Sequence, residues 1–336
     1  MPDPLDSLKL PLTQLFSKTA IDETSLPNSV LNRQQADRFI DLMVDTSVLL
    51  KRVRVRRVNH NKGEVNKLDL GTIVTEGAHT TSKATTRTPS ESVMTYDCVK
   101  YRSAFDLKSD FTEDNIEGAN IRNTLMSQFT KQIAIDSEMA AIEGDDSLTT
   151  GDGQSSANNL LGVNDGYSVI LNAQVPSEQK VDAGGDAPSK ALYYAMKRAI
   201  PARYRIAKPN YVWILPSGPA DKWTLDWSDR ETQGGDVALS RGTVPGPWGI
   251  PMLEVPLMPE DLSIGTTGSD GSEIWLTPLE NLVYFIQRDI TIEWDRKPHQ
   301  DMWEVTIHFR MDVEIENPDM VVMATNVSMS GSDYTA

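Results

Sequence analysis

The chain has 336 residues, 39% of them hydrophobic and 24% charged, which is enough apolar material for two or three domains with real cores. Its 32 basic and 48 acidic side chains leave a net charge of −16, which argues against a protein held to nucleic acid by overall positive charge. The single cysteine, Cys98, excludes an internal disulfide and a cysteine-rich zinc site.

No apolar run approaches the ~20 residues that a membrane span needs. The opening MPDPLDSLKLPLTQLF has no basic region followed by an apolar one, so no secretory signal is visible. The expectation is a soluble acidic protein made in a reducing cytoplasm.

Residues 1–31 read as an extended arm, with Pro2, Pro4, Pro11 and Pro27 and no hydrophobic period. A short amphipathic helix is predicted over 33–50, capped by Asn32, with Phe39, Ile40, Met43 and Val44 three to four apart. Lys51–Val58 then alternates as a strand does, Arg52, Arg54 and Arg56 on one face and Val53 and Val55 on the other. A second strand-like run covers Val93–Phe105. The chain between, about 60–92, is polar and threonine-rich, so the two runs read as the arms of a protruding hairpin. An isolated hairpin is marginal in water and must lie on something else.

Asp110–Glu143 carries the strongest helical signal. One stripe runs through Ile121, Leu125, Ile135, Met139 and Ile142, and a second through Ile116, Met126, Ile133 and Ala140. The helix is expected to stop at Gly144. Residues 145–188 read as loops with one short strand near Gly166–Leu171. An α/β unit follows: a helix over Ser189–Ile200, a buried strand Tyr211–Leu215, a helix over Pro219–Trp227, a glycine-rich loop Gly234–Gly242, and the turn Pro247-Trp-Gly-Ile-Pro251.

The clearest pattern is near the C-terminus. Every odd residue from Trp303 to Ile315 is apolar and every even one from Glu304 to Glu316 is polar. Leu282, Tyr284, Ile286, Ile290, Ile292 and Trp294 give a matching run before it. These are two long antiparallel strands with one buried face, joined by Asp295–Asp301, and the long helix is expected to lie across them.

Motifs for chemistry are missing. There is no P-loop, no dinucleotide fingerprint, no nucleophile elbow and no His-Glu-x-x-His, so neither an enzyme nor a cofactor is expected. His308 lies on the polar face of a strand, where a solvated or interface role is expected. Asp145-Asp146 lacks the ligand spacing of a calcium loop and reads as a solvated loop. Cys98 reads as a small buried hydrophobe. Lys51–Lys62 holds six basic residues and no acidic one, but no aromatic is interleaved to stack bases. Docking on a neighbour's carboxylates fits this stripe better than DNA contact or a merely solvated face.

The order of these parts resembles the major capsid protein of tailed double-stranded DNA bacteriophages. The resemblance rests on Ala195-Met-Lys-Arg-Ala-Ile200, Tyr211-Val-Trp-Ile-Leu-Pro216, Pro247-Trp-Gly-Ile-Pro251, the strands Leu282–Trp294 and Met302–Glu316, and Asn317-Pro-Asp-Met-Val-Val-Met-Ala324. It spans about 33–325, and its strength is the order and spacing of motifs that are weak singly. The implied fold is α+β, divided as follows. Residues 1–50 are an arm and short helix, and 51–110 an extended two-stranded loop overlapping the adjacent subunit. Residues 111–185 are a peripheral domain with a spine helix, 186–275 an axial domain, 276–316 the long peripheral strands, and 317–336 the final strand and tail.

The implied function is structural: self-assembly into pentamers and hexamers that form an icosahedral virion head around double-stranded DNA, without sequence-specific binding and without a membrane. Arg52, Arg54, Arg56, Arg57, Lys62, Lys67, Lys83 and Arg87 would then face a neighbouring subunit. Asp229, Arg230, Gly234, Gly235, Asp236 and Arg241 would line the capsomer axis. Portal, a separate scaffolding protein and a decoration protein are the implied partners, with assembly in the host cytoplasm. No charged helical segment of family scaffold length precedes the arm, so a fused scaffolding domain is not expected. An encapsulin-type nanocompartment shell would share the fold. From another class, an acidic hydrolase or saccharide-binding protein could use Trp223, Trp227 and Trp248 with Asp226 and Asp229.

Overall fold

The computed structural model describes residues 28–30, 47–69, 90–108, 121–228, 244–264, 268–287 and 290–328. In chain order its first elements are β1 (Asn28–Val30), β2 (Arg54–Val58), β3 (Lys62–Asp69), β4 (Ser90–Asp97), β5 (Val99–Lys108), α1 (Ile121–Glu143), α2 (Ser156–Leu161) and α3 (Tyr167–Gln174). Then come β6 (Lys180–Asp182), α4 (Lys190–Ala199), β7 (Tyr211–Leu215), α5 (Ser217–Ser228), β8 (Met252–Glu254), β9 (Leu262–Ile264) and β10 (Gly268–Pro278). The chain closes with β11 (Leu282–Gln287), β12 (Thr291–Lys297), β13 (Met302–Ile315) and β14 (Val322–Ser328). The architecture is mixed α+β.

The alternation read between Trp303 and Ile315 builds β13, the centre of the first sheet. Val305, Ile307, Phe309, Met311, Val313 and Ile315 are all buried. β11 and β12 pair antiparallel with β13 along one edge and β5 along the other. An unbroken register from Ile286↔Met311 would set Thr291 opposite Thr306, but Thr291 lies opposite His308. The run expected as one strand is therefore two, with a register shift between Gln287 and Ile290. β2 adds parallel to β11 and β1 antiparallel to β12.

Helix α1 packs on this sheet and ends where expected, the Gly144 N–H closing on the Ala140 carbonyl at 3.0 Å. At 1.5 Å per residue its 23 residues span ~35 Å. The expected start near Asp110 lies outside the described residues. Of the two candidate stripes, the one through Met126, Ile133 and Ala140 is buried, whereas the other divides, with Ile142 buried and Ile135 40% exposed. Thr130 and Ser137 complete the buried face. Their hydroxyls donate to the carbonyls of Met126 and Ile133 four residues back, at 2.8 and 2.6 Å, so small polar residues sit inside without an unmet donor.

Two expectations are corrected. The first is the hairpin, whose arms are not Lys51–Val58 and Val93–Phe105. β3 pairs with β4 instead, from Lys62↔Asp97 to Asp69↔Ser90, while β2 and β5 both belong to the main sheet. The second strand-like run breaks at Cys98, whose N–H donates to the Asn61 carbonyl at 2.7 Å and turns the chain from hairpin into sheet. Lys62–Asp69 escaped the pattern because Val65 and Leu68 are its only large apolar residues. The second concerns the short strand near Gly166–Leu171, which is helix α3. Its buried residues Tyr167, Ile170 and Leu171 follow helical spacing. Of the helix expected over 33–50, residues 33–46 lie outside the described residues, and 47–50 form a turn with Leu49 and Leu50 buried.

The second sheet runs β6-β14-β10-β7-β8, with β9 on β10. One face, carrying Trp213, Leu215, Ile274 and Leu276, packs with α4 and α5 in a core of its own. The opposite face, carrying Ile214, Trp275 and Met323, joins the core under α1. The final strand β14 thus sits inside this second sheet, between β6 and β10.

Candidate inter-subunit surface

β2 is the end strand of its sheet, so one backbone edge is unpaired among the described residues. Val53 and Val55 turn into the main core. Arg54 and Arg56 stand on the other face, in register with Val283 and Phe285, and line an open groove beside the hairpin together with Lys67. Basic side chains on an exposed edge discourage indiscriminate strand pairing while leaving a polar docking face.

The cations differ in how far the chain itself uses them. Arg54 pairs with the Glu316 carboxylate, and the Lys67 amine donates to the Glu316 carbonyl, so both are tied to the end of β13. Burial lowers the Lys67 pKa, while Glu316 and Glu314 pull it back up. Lys62 pairs with Asp97 across the hairpin at 2.5 Å, in full view of solvent. Arg52 is exposed, and Arg56 and Arg57 are half-buried. Lys83, Arg87 and the six residues expected at the capsomer axis (Asp229, Arg230, Gly234, Gly235, Asp236 and Arg241) lie outside the described residues.

The hairpin that carries Lys62 and Lys67 is held by a carboxylate that sequence reasoning had placed on a solvated face. Asp312 is 7% exposed. Its Oδ2 accepts the Asp97 N–H at 2.7 Å, and its Oδ1 accepts Asn164 Nδ2 at 2.7 Å and the Val313 N–H at 2.8 Å. Burial pushes its pKa up, these three donors pull it down, and the Asp97 charge adds to the rise. Beneath the hairpin, Met94, Cys98, Val283 and Phe285 form a small core of their own, with the Tyr96 ring stacked on Phe285 at 4.6 Å.

A second buried carboxylate, Glu138 of α1, holds the root of the arm. It accepts the Val48 N–H at 3.0 Å and also bonds the Leu49 N–H. Burial raises its pKa against those backbone donors. Neither acid has a sequence signature. Asp312 follows the polar parity of its strand, and Glu138 sits between the two stripes of its helix.

Other candidates resolve into structural roles. Trp223 is 7% exposed and donates its indole N–H to the Pro245 carbonyl at 3.1 Å, and Asp226 pairs with Lys222 at 2.9 Å. Trp223 is thus used inside its own core, while Trp248 is 48% exposed. The carboxylates of Asp145, Asp146 and Asp165 approach within 4.8 Å of one another, while Asp165 and Asp145 brace the loop by accepting the Asp146 and Ser147 N–H groups. His308 lies near Glu293, at 3.9 Å, with its pKa lowered by burial and by Lys100.

The model of the phage capsid family matches residues 28–326. The chain belongs to that family. This capsid protein is 25% identical over 302 residues to the Bacillus subtilis (strain 168) protein named as a prophage capsid protein, YqbE, covering 89% of this chain and 93% of that one. A chain of the satellite phage P4 procapsid with its size determination (Sid) protein has the same fold. The TM-score is 0.65 at 18% identity, over 97% of this chain and 98% of that chain. The SrpI encapsulin of Synechococcus elongatus PCC 7942 is similar at TM-score 0.53 and 12% identity, over 84% and 88%. The capsid protein is thus a major shell protein of a virion, and its assembly is multimeric.

Proposed function

We propose that this capsid protein builds the icosahedral head of a tailed phage or prophage, as pentamers and hexamers around double-stranded DNA. The observation that carries this reading is the pairing of an Arg-lined edge strand with a hairpin braced against the sheet. Such a surface has backbone and charge to offer a neighbour and little core of its own. Arg52, Arg56 and Arg57 are the residues we assign to docking on a neighbour's carboxylates, with Lys62, Lys83 and Arg87 beside them. Lys67 ties the hairpin to the end of β13, and Arg54 ties β2 to the same residue, Glu316. The segment around Asp229–Arg241 is assigned to the capsomer axis. A net charge of −16 suits a container whose DNA is driven in rather than bound. Portal, a separate scaffold and a decoration protein are the partners, assembly takes place in the host cytoplasm, and no catalysis is required.

Negative-stain microscopy of the recombinant protein, alone and co-expressed with a scaffolding protein, tests this. Uniform shells, or discrete pentamers and hexamers, are expected, and a chain that stays monomeric with scaffold present would refute it. The likeness to an encapsulin supports one alternative, a protein-filled compartment. Purified native particles containing a cargo enzyme and no genome would select it.

A further inference from the structure

The second sheet carries a solvent-facing feature that the docking of the hairpin does not use. Trp248 has φ 60° and ψ 22°, the left-handed region, which a bulky aromatic rarely occupies and which costs ~1–3 kcal/mol. Two buried indoles hold its turn in that shape, Trp213 Nε1 donating to the Pro247 carbonyl and Trp223 Nε1 to the Pro245 carbonyl, each at 3.1 Å. The result is a Trp side chain 48% exposed on a stiff support. Tyr194 of α4, 50% exposed, lies with its ring 5.6 Å away, and Lys197 sets its amine 4.8 Å over the indole. These two are the large aromatics most open to solvent among the described residues. Helix α4 also carries Lys190, Lys197 and Arg198 and no acid, in a chain whose net charge is −16.

A complementary face exists on the same molecule. On α5, Leu225 is 46% exposed, beside exposed Asp221 and Thr224. At the N-terminal end of α5, the exposed Glu254 and Glu260 accept the Ser217 hydroxyl at 2.7 Å and the Gly218 N–H at 2.8 Å. Lys222 is occupied by Asp226, so this face is acidic around an apolar centre. Helix α4 packs over β6 and β14 and α5 beside β8, and the two helices meet where the Tyr193 and Trp223 rings lie 5.4 Å apart. Two different patches of opposite charge on one chain make a head-to-tail contact that repeats and closes into a ring when the rotation allows. A rigid half-exposed Trp with a Tyr beside it is the residue composition of an interface hot spot.

We propose that Trp248, Tyr194 and Lys197 of one copy dock on the Leu225–Asp221 face of α5 in the next copy of this chain. The proposal rests on the shell reading and adds to it a contact distinct from the Arg-lined edge. The first test is a Tyr194→Cys/Leu225→Cys double variant in assembled particles. Both positions are exposed, and the one native thiol, Cys98, is buried. Oxidation is expected to give a ladder of crosslinked oligomers on a non-reducing gel, and particles without a ladder would overturn the proposal alone. Absence of particles from the wild-type chain would overturn the shell reading and this contact with it. The second test is charge reversal. Lys197→Glu and Asp221→Lys should each cut the yield of capsomers roughly tenfold, the size of a loss of ~1.4 kcal/mol, and the double variant should restore it. Single variants that assemble like wild type would overturn the proposal.

Discussion

Replacing Asp312 by Asn should loosen the hairpin without unfolding the sheet. The substitution keeps one oxygen, enough for Asn164 and Val313, but turns an amide toward the Asp97 N–H, setting donor against donor. A hydrogen bond to a charged acceptor is worth ~1.5–3 kcal/mol. Removing a buried charge that stands beside Asp97 offsets part of that loss, leaving ~1–2 kcal/mol. At 1.4 kcal/mol per tenfold, the hairpin root should open roughly 5- to 30-fold more often. Amide hydrogen exchange read by mass spectrometry should show this at Asp97 and along β4. The strands on which Asp312 itself sits, β13 and its partner β11, should stay protected by a core that the change does not enter. Asn164→Ala, which removes a donor and leaves the acceptor, should produce a smaller effect in the same place. Unchanged exchange at Asp97 in Asp312→Asn would refute the clamp, and acceleration spread over β11 and β13 would show that Asp312 supports the whole sheet.

Burial pushes the carboxyls of Glu143 and Glu314 up to about 7, Asp261 adding to the first and Asp312 to the second. The folded chain therefore binds more protons than the unfolded one between the ordinary 4.5 and about 7, and stability falls as pH rises through that window. Glu314→Gln should raise the melting temperature at pH 8, by an amount corresponding to ~1 kcal/mol after allowing for partial solvent screening, and leave it unchanged at pH 4.5. An identical gain at both pH values would count against the assignment. Gly166→Ala should destabilise by ~2–3 kcal/mol, because a Cβ there would meet Gly144 N at 2.6 Å and Ile142 O at 2.7 Å, both backbone. A melting temperature equal to wild type would show that the end of α1 can yield. Burial raises the Cys98 thiol pKa to about 12, with Asp312 and Asp97 contributing, so a thiol reagent at pH 8 should label the native chain ~1000-fold more slowly than the unfolded one. Equal rates would place Cys98 in a site that opens freely.

Local pattern settled which segments have a face to bury. The alternation through β13, the helical spacing and glycine stop of α1, and the buried run Tyr211–Leu215 all depend on neighbours within a few residues, and each is present as read. Their order along the chain was enough to identify the shell family. What pattern could not settle is which surface each face meets. The Arg-rich strand and the second half of the run Val93–Phe105 have the composition of hairpin arms, yet β2 pairs with β11 and β5 with β13, partners more than 190 residues away in sequence. Alternation is a property of one strand, whereas pairing depends on which partner buries more apolar surface once the sheet exists. The same limit hid the two holding carboxylates. Asp312 and Glu138 sit where a polar residue is ordinary, and only the packing of the hairpin and the arm root over them removes water and turns each into an anchor. For Trp248, the sequence marks a Pro-Trp-Gly turn, but its outward aim comes from two distant indoles bonding the turn's carbonyls, an arrangement that exists only after the second sheet has closed.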